Sequence, residues 1–210
     1  MISVWLPRWL GEIYSKLYLE FEGCLFNFEQ ARSILGLDAG RLNVAFSRLH
    51  SQRVLTIFRR TRPRLYRLVD PESFILLASD RVRNLDRLAQ ERYLPLILDA
   101  YRETCREFRV KSFAVYGSVA RGTATKDSDI DILVIGKDRK DWETVSRIAY
   151  EIDFENGFRT FITTIFLTED EFKHRLKVGD PFLHNVLKEG VVLYDSGLYE
   201  RVRESLLEAR

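Results

Sequence analysis

Residues 113–135, FAVYGSVARGTATKDSDIDILVI, constrain the fold more than any other part of the chain. Residues 114–116 and 130–135 are runs of β-branched, aliphatic or aromatic side chains bounded by glycine or polar residues, which predicts two buried strands. Asp129 and Asp131 are two residues apart, and on a strand this spacing directs both carboxylates to the same face. The segment therefore predicts a sheet with a pair of carboxylates at the start of one strand.

The turn between these two strands is predicted to face a phosphate. Gly117 and Ser118 begin a tight turn whose backbone amides can surround an anion, and Arg121 follows closely. Two carboxylates opposite such a turn form a site for Mg²⁺ that carries a nucleoside triphosphate. We therefore predict Asp129 and Asp131 as catalytic metal ligands, and Gly117, Ser118 and Arg121 as nucleotide-binding residues.

These residues carry a family resemblance. The string GSVARG at 117–122, followed by DSDID at 127–131, resembles the signature of the DNA polymerase beta-like nucleotidyltransferases, and within them the minimal nucleotidyltransferase branch of prokaryotes. The string PFLHNVLKEGVVLYD at 181–195 is also typical of that branch. The resemblance implies a Mg²⁺-dependent enzyme that moves a nucleoside monophosphate from ATP or another NTP to an acceptor hydroxyl. The simpler alternative is a βαβ turn with a solvated aspartate pair at a strand end.

One position departs from the family pattern. Members usually place a third carboxylate on the next strand, where it completes the metal site and often activates the acceptor hydroxyl. Residues 159–168, where that strand is predicted, contain no acid, and Thr163 or Thr164 occupies the expected position. The nearest acids are on either side of it: Asp153, Glu155, Glu169 and Asp170. The protein is thus expected to catalyse weakly, to take a base from a partner, or to bind nucleotide without catalysis.

The N-terminal third has the pattern of a different domain. Helical periodicity predicts helices at 8–21, 28–35 and 39–52, the last with Asp38 as its N-cap. Short strands at 54–58 and 65–69 then form a hairpin. This order resembles a winged helix-turn-helix. The predicted fold is therefore α/β (α+β), with a winged helix at 1–70, a helical linker at 71–92, and a nucleotidyltransferase mixed sheet flanked by helices at 93–210.

Charge supports a DNA contact for the first domain. Residues 1–70 contain 11 Lys/Arg and 6 Asp/Glu, whereas the rest of the chain contains 22 and 25. The recognition helix at 39–52 is expected to present polar residues and one valine to a major groove, and the hairpin to present arginines to phosphates. These residues are Arg41, Asn43, Val44, Ser47 and Arg48 on the helix, and Arg60, Arg62 and Arg64 on the hairpin. The alternative is that the winged helix packs on the catalytic domain or on a second subunit, which allows a homodimer.

The remaining composition describes an ordinary globular protein. No apolar run reaches the ~18 residues of a membrane helix, so no membrane contact and a cytoplasmic location are expected. Cys24 and Cys105 have neither disulfide nor zinc spacing. We expect Trp5, Trp9 and Trp142 to be core anchors.

Two functions follow from this sequence. The first is a nucleotidyltransferase with Mg²⁺ as cofactor, an NTP as substrate and double-stranded DNA as a partner of its winged helix. The second is a DNA-binding transcriptional regulator or, as the family resemblance implies, an antitoxin. Its nucleotidyltransferase domain would bind nucleotide, or the helical HEPN-type partner protein that the resemblance also implies, with little catalysis.

Overall fold

The computed structural model describes residues 6–79 and 81–202. The chain divides into two compact units, one of residues 1–80 with 91–98 and the other of residues 81–90 with 99–210. Trp5 lies outside the described residues. Within the described part, every helix is too short or too polar to cross a lipid bilayer.

The first unit consists of three helices and a small antiparallel sheet. Its helices are α1 (Arg8–Phe21), α2 (Phe28–Leu35) and α3 (Ala39–Ser51), and its strands are β1 (Phe26–Asn27), β2 (Leu55–Arg59) and β3 (Leu65–Leu68). The strand order is β1-β3-β2. The predicted order of three helices followed by a hairpin is the observed one. Strand β1 was not predicted, since two residues carry no periodicity and Phe26 is placed by its pairing with Tyr66.

Local signals set the helix ends in this unit. The Asp38 side chain accepts a hydrogen bond from the Arg41 N–H at 2.9 Å, as predicted for the α3 N-cap. Helix α3 buries Leu42, Ala45, Phe46 and Leu49 in the unit's core, so its other face is left to solvent. The expectation that Trp9 is a core anchor is wrong, because 39% of it is exposed and Arg48 lies over its ring.

The predicted helical linker at 71–92 is not one continuous helix. Helix α4 (Pro71–Ala78) ends at Ser79, two short 3-10 turns follow, and α5 (Leu94–Glu107) begins a new helix. The physical reason lies in the intervening segment, whose polar groups bond to the second unit's last strand. The Arg83 N–H donates to the Leu193 carbonyl at 2.8 Å, and the Asn84 amide donates to the Val192 carbonyl at 2.8 Å. Asn84 also adopts a left-handed conformation, with φ 57°.

The second unit is a mixed sheet flanked by helices. Its elements after α5 are β4 (Ser112–Tyr116), α6 (Gly117–Arg121), β5 (Ile130–Gly136), α7 (Asp141–Glu155), β6 (Ile162–Thr168), α8 (Glu169–Lys177), α9 (Pro181–Glu189) and β7 (Val191–Asp195). The strand order is β6-β5-β4-β7, with β5 and β6 parallel and the other pairs antiparallel. The predicted mixed sheet is confirmed.

One face of this sheet is covered by α8 and α9. Leu133 and Ile135 of β5 pack there against Phe172, Leu176 and Leu183. Alternation along β5 places Asp131 on the same face as Leu133. Trp142, expected in the core, is 46% exposed near the start of α7. The sheet therefore presents its aspartates on the face covered by α8 and α9.

Candidate functional site

The turn after β4 approaches an aspartate so closely that it requires glycine. Gly117 has a φ of 69°, a left-handed conformation that strains other residues. A Cβ atom at this position would overlap the Asp131 Oδ2 atom. Gly117 begins the short helix α6, whose first N–H groups have no partner within the helix. The structure thus places the predicted phosphate turn, Gly117 and Ser118, directly beside the predicted metal ligand.

Strand pairing brings the two aspartates to this turn. Asp131 pairs with Tyr116 across the β4–β5 ladder, and Asp129 immediately precedes β5. Burial raises the pKa of Asp131, the charge of Asp129 raises it further, and Arg121 opposes the rise. A bound cation stabilises the ionised form of a carboxylate that burial and a neighbouring negative charge disfavour. Their oxygen donors and this electrostatic environment fit Mg²⁺.

Arg121 is held next to the acids by the last turn of α9. Its Nη1 atom lies 3.1 Å from Glu189 Oε2, and 48% of the arginine side chain is exposed. A phosphate bound at the Gly117 turn would compete with Glu189 for the guanidinium. Sequence reasoning did not find Glu189, since nothing in the local pattern relates positions 68 residues apart.

Aromatic residues border the site on its other side. The Tyr116 ring contacts the Phe182 ring edge-to-face, with centroids 5.3 Å apart, and the Arg175 guanidinium lies over Phe182. Burial and then the charge of Asp131 raise the pKa of Tyr116 to about 12. Tyr116 therefore stays a neutral phenol near the carboxylates at physiological pH.

The structure identifies which threonine stands at the position of the third acid. In the parallel pairing of β5 and β6, Asp131 is opposite Thr163, and Thr164 is opposite Ile132. Paired residues on neighbouring strands share a face, so Thr163 lies on the aspartate face and Thr164 on the other. Thr163 is exposed.

Two of the neighbouring acids, Asp153 and Glu169, are engaged elsewhere. Both Asp153 carboxylate oxygens accept hydrogen bonds from the Ile162 N–H, at 3.0 and 3.2 Å, and the side chain is buried. Burial raises the pKa of Asp153 to about 6, the Ile162 bond opposes this, and the charge of Asp129 adds to it. Glu169 follows the far end of β6, roughly 20 Å from Thr163 at ~3.3 Å per residue, and is paired with Lys173. Among the described residues, no group of three or more potential ligands forms a metal cluster.

A second candidate surface lies on the first unit. A cleft of about 690 Å³ lies between the start of α2, with Glu29, Asn43 of α3 and the tip of the β2–β3 hairpin. Its lining includes four residues predicted to contact DNA: Asn43, Arg60, Arg62 and Arg64. The structure therefore brings these four together around one concave surface.

The other predicted DNA contacts lie elsewhere on α3. Arg41 and Val44 line a separate cleft between α1 and α3, and Arg41 Nε lies 3.5 Å from Asp38 Oδ2. Arg48 lies over Trp9, and Ser47 is exposed. They are not gathered in the cleft of the hairpin arginines.

A glutamate that sequence reasoning missed touches the hairpin. Glu91 forms an ion pair with Arg60, with Arg60 Nη2 3.4 Å from Glu91 Oε1, and it also contacts His50. Arg60 therefore has a protein partner already. Arg62 and Arg64 are exposed to solvent.

The fold and site together define a class of protein, a nucleotide-handling α+β domain with paired carboxylates. Comparison with known proteins gives the family: the chain belongs to the nucleotidyltransferases. The family model described as "Nucleotidyltransferase domain" matches residues 98–192. A protein of Methanocaldococcus jannaschii, provisionally named a protein adenylyltransferase, is 37% identical to this chain over 86 residues. The match covers 41% of this chain and 80% of that protein.

A solved structure has a more distant likeness. It is a crystal structure of a toxin–antitoxin with AMP-PNP, with 18% identity and a TM-score of 0.35. The match covers 52% of this chain and 86% of that one. A TM-score this low supports no functional conclusion.

Proposed function

We propose that the protein is a Mg²⁺-dependent nucleotidyltransferase that moves AMP from ATP to a hydroxyl group of a protein. The observation that carries this proposal is the contact of the Gly117 turn with Asp131, which joins a phosphate-facing backbone to a carboxylate pair. The M. jannaschii relative supports AMP as the group and a protein as the acceptor. The family membership of the chain supports transfer of a nucleotide in general.

Each part of the site has a role in this reaction. Asp129 and Asp131 would hold Mg²⁺, which supplies neutralisation of charge on the triphosphate. Gly117 and Ser118 bind the β- and γ-phosphates through backbone N–H groups, and Arg121 adds a charge-assisted contact. Tyr116 and Phe182 limit the access of water from the side of α9. The acceptor hydroxyl must lose its proton without a carboxylate at position 163, so intrinsic turnover is slow.

The position of the radioactive label tests this function. The full chain is incubated with Mg²⁺ and a desalted extract of its source cells, with ATP labelled at either the α- or the γ-phosphate. We expect label in a protein band from α-labelled ATP only, and none when EDTA is present. Label from the γ-position would indicate a kinase, and α-label that nuclease removes would indicate a nucleic-acid acceptor. Either result would refute the proposal.

The cleft in the first unit favours a second function. We infer that this unit is a winged helix that binds double-stranded DNA, so that the chain acts as a transcriptional regulator or an antitoxin. Asn43 and three arginines around one concave surface support this, because phosphate contacts come mainly from such side chains. With Thr163 in place of an acid, the second unit would then sense nucleotide or bind a HEPN-type protein, with little catalysis. The chain would also act as a homodimer if its DNA site is two-fold symmetric.

Removal of the hairpin arginines tests DNA binding. Changing Arg60, Arg62 and Arg64 together to Ala should weaken duplex binding and flatten its salt dependence, since each phosphate contact contributes ~0.9 to the log–log slope. Fluorescence anisotropy with a labelled duplex at several salt concentrations measures both quantities. The matched control replaces three arginines of the second unit, Arg106, Arg139 and Arg147. If wild-type protein binds no duplex even at low salt, this unit does not bind DNA.

A further inference from the structure

Four aromatic side chains form an exposed cluster at the end of α7 and the start of β6. Tyr150, Phe154, Phe158 and Phe161 are 63%, 64%, 42% and 48% exposed. Phe158 connects them, with ring centroids 6.1, 6.0 and 6.0 Å from the other three. We call these four residues the aromatic ledge. Since each ring offers ~150–250 Å², half-exposed rings present about 400 Å² of apolar surface. A patch of this size often has a function.

The aromatic ledge adjoins the candidate site. The Ile130 N–H donates to the Phe161 carbonyl at 2.8 Å, and Ile130 pairs with Ile162, so Phe161 stands beside Asp129. Strand β4, which leads into the Gly117 turn, pairs with the opposite edge of β5. Phe161, the ledge residue next to β6, and the phosphate turn therefore lie on opposite sides of the two aspartates.

The geometry of nucleotide transfer indicates the side from which the acceptor enters the site. The acceptor oxygen forms a bond to the α-phosphorus while the bond to the bridging oxygen breaks. Pyrophosphate leaves with the bonding electron pair, and the hydroxyl proton passes to water. Because the attacking and leaving oxygens are roughly in line, the acceptor must enter opposite the departing pyrophosphate. With the β- and γ-phosphates at Gly117 and Ser118, the acceptor enters from the β6 side, where the ledge lies.

The charged residues beside the ledge indicate which kind of acceptor can bind there. Residues 147, 151 and 155 form the helical row next to Tyr150 and Phe154. Glu151 and Glu155 in this row are exposed. Arg147 is paired with Glu151 at 2.8 Å and also lies 3.3 Å from Glu107, so the row remains acidic with its neighbours counted. Arg159 is a second cation near the ledge, and its Nη1 atom donates to the Asn156 carbonyl. Such a border repels polyanions and attracts lysine and arginine.

We propose that the aromatic ledge binds the protein that accepts the nucleotide, through a segment that carries apolar and basic side chains close to the acceptor hydroxyl. This rests on the proposed function in taking the acceptor to be a protein. The apolar side chains pack on the four rings, and lysine or arginine faces Glu151 and Glu155. A nucleic-acid acceptor does not fit this border.

Peptide binding tests the proposal without any transfer reaction. The probes are fluorescein-labelled amphipathic peptides of equal length, built from Lys and Leu, from Glu and Leu, or from Lys and Ser, together with a single-stranded DNA oligonucleotide. Anisotropy is measured on the full chain without ATP. We expect the Lys/Leu peptide to bind at least tenfold more tightly than the other two peptides. Any binding of the oligonucleotide belongs to the first unit and should not respond to substitutions in the ledge.

Two variants assign that binding to the ledge. Phe154→Ser with Phe158→Ser should weaken binding of the Lys/Leu peptide at least tenfold and leave Mg-ATP affinity unchanged in calorimetry. The control is Ile75→Ser with Val178→Ser, two apolar residues outside the ledge that are 64% and 66% exposed, which should change neither quantity. Glu151→Lys with Glu155→Lys should shift the preference to the Glu/Leu peptide.

Three results would overturn the assignment: no binding of the Lys/Leu peptide, equal binding of that peptide by the Phe154/Phe158 variant, or binding of the oligonucleotide that the Phe154/Phe158 variant loses. Failure of the proposed function is a separate result, since it shows as absent α-label transfer while the peptide still binds at the ledge.

Discussion

Replacing Asp129 and Asp131 together with asparagine should abolish the Mg²⁺-dependent binding of ATP. Both side chains lie at the start of β5, on the face reached by the Gly117 turn, and asparagine offers no charge to a divalent cation. We expect a loss of at least ~100-fold in affinity, about 3 kcal/mol. Isothermal titration calorimetry with ATP, in Mg²⁺ and in EDTA, measures it.

The same double variant should remain folded. Burial and the charge of Asp129 raise the pKa of Asp131. An ionised Asp131 therefore destabilises the folded state at neutral pH, and asparagine removes this destabilisation. The melting temperature should therefore stay the same or rise while ATP binding is lost. Glu20→Gln with Asp170→Asn is the control, since it removes the same charge from exposed positions. Unchanged ATP affinity in the Asp129/Asp131 variant would contradict the site assignment.

Thr163→Asp should increase nucleotide transfer. Position 163 is exposed and opposite Asp131, so an aspartate there joins the acid pair on the same face of the sheet. A positioned general base contributes ~10²–10⁴ to the rate, and we expect a gain of at least roughly tenfold because the neighbouring groups are not adapted to it. Transfer of α-³²P label and release of pyrophosphate measure the gain, and the wild type alone should show little of either.

Thr164→Asp is the matched control for this gain. The two threonines are adjacent, but Thr164 is opposite Ile132 on the other face of the sheet and should bring no carboxylate to the site. From the sequence, either threonine was expected to respond, and the strand register now selects Thr163. Rapid transfer by the wild type would show that another acid completes the site. A lack of response to Thr163→Asp would point to a base from a partner protein.

The parts of the fold that local patterns encode were predictable. Helix α3 begins after Asp38 because a carboxylate caps its first turn, and β5 is evident from its apolar run. The paired aspartates could likewise be placed on one face from their spacing alone. Their contact with Gly117 could not, because it depends on the antiparallel pairing of β4 with β5.

Features that depend on distant partners were missed or wrong. The linker helix was predicted to continue, but polar groups at Arg83 and Asn84 bond to β7, over a hundred residues later in the chain. The aromatic ledge was missed for a related reason. Phenylalanine occurs both in cores and on exposed patches, and only the packing of α7 shows which side of that helix is left to solvent.

The division of the chain into units has a consequence for inheritance and engineering. Residues 81–90 belong to the second unit, and residues 91–98 return to the first. The polypeptide therefore passes between the units three times, so no single fission of the gene yields both as complete pieces. A piece that ends at residue 80 leaves the first unit without its 91–98 segment, and a piece that starts at residue 99 leaves the second unit without 81–90. Replacement of either unit by an unrelated domain through end-to-end recombination is therefore disfavoured. The two units are expected to be inherited together.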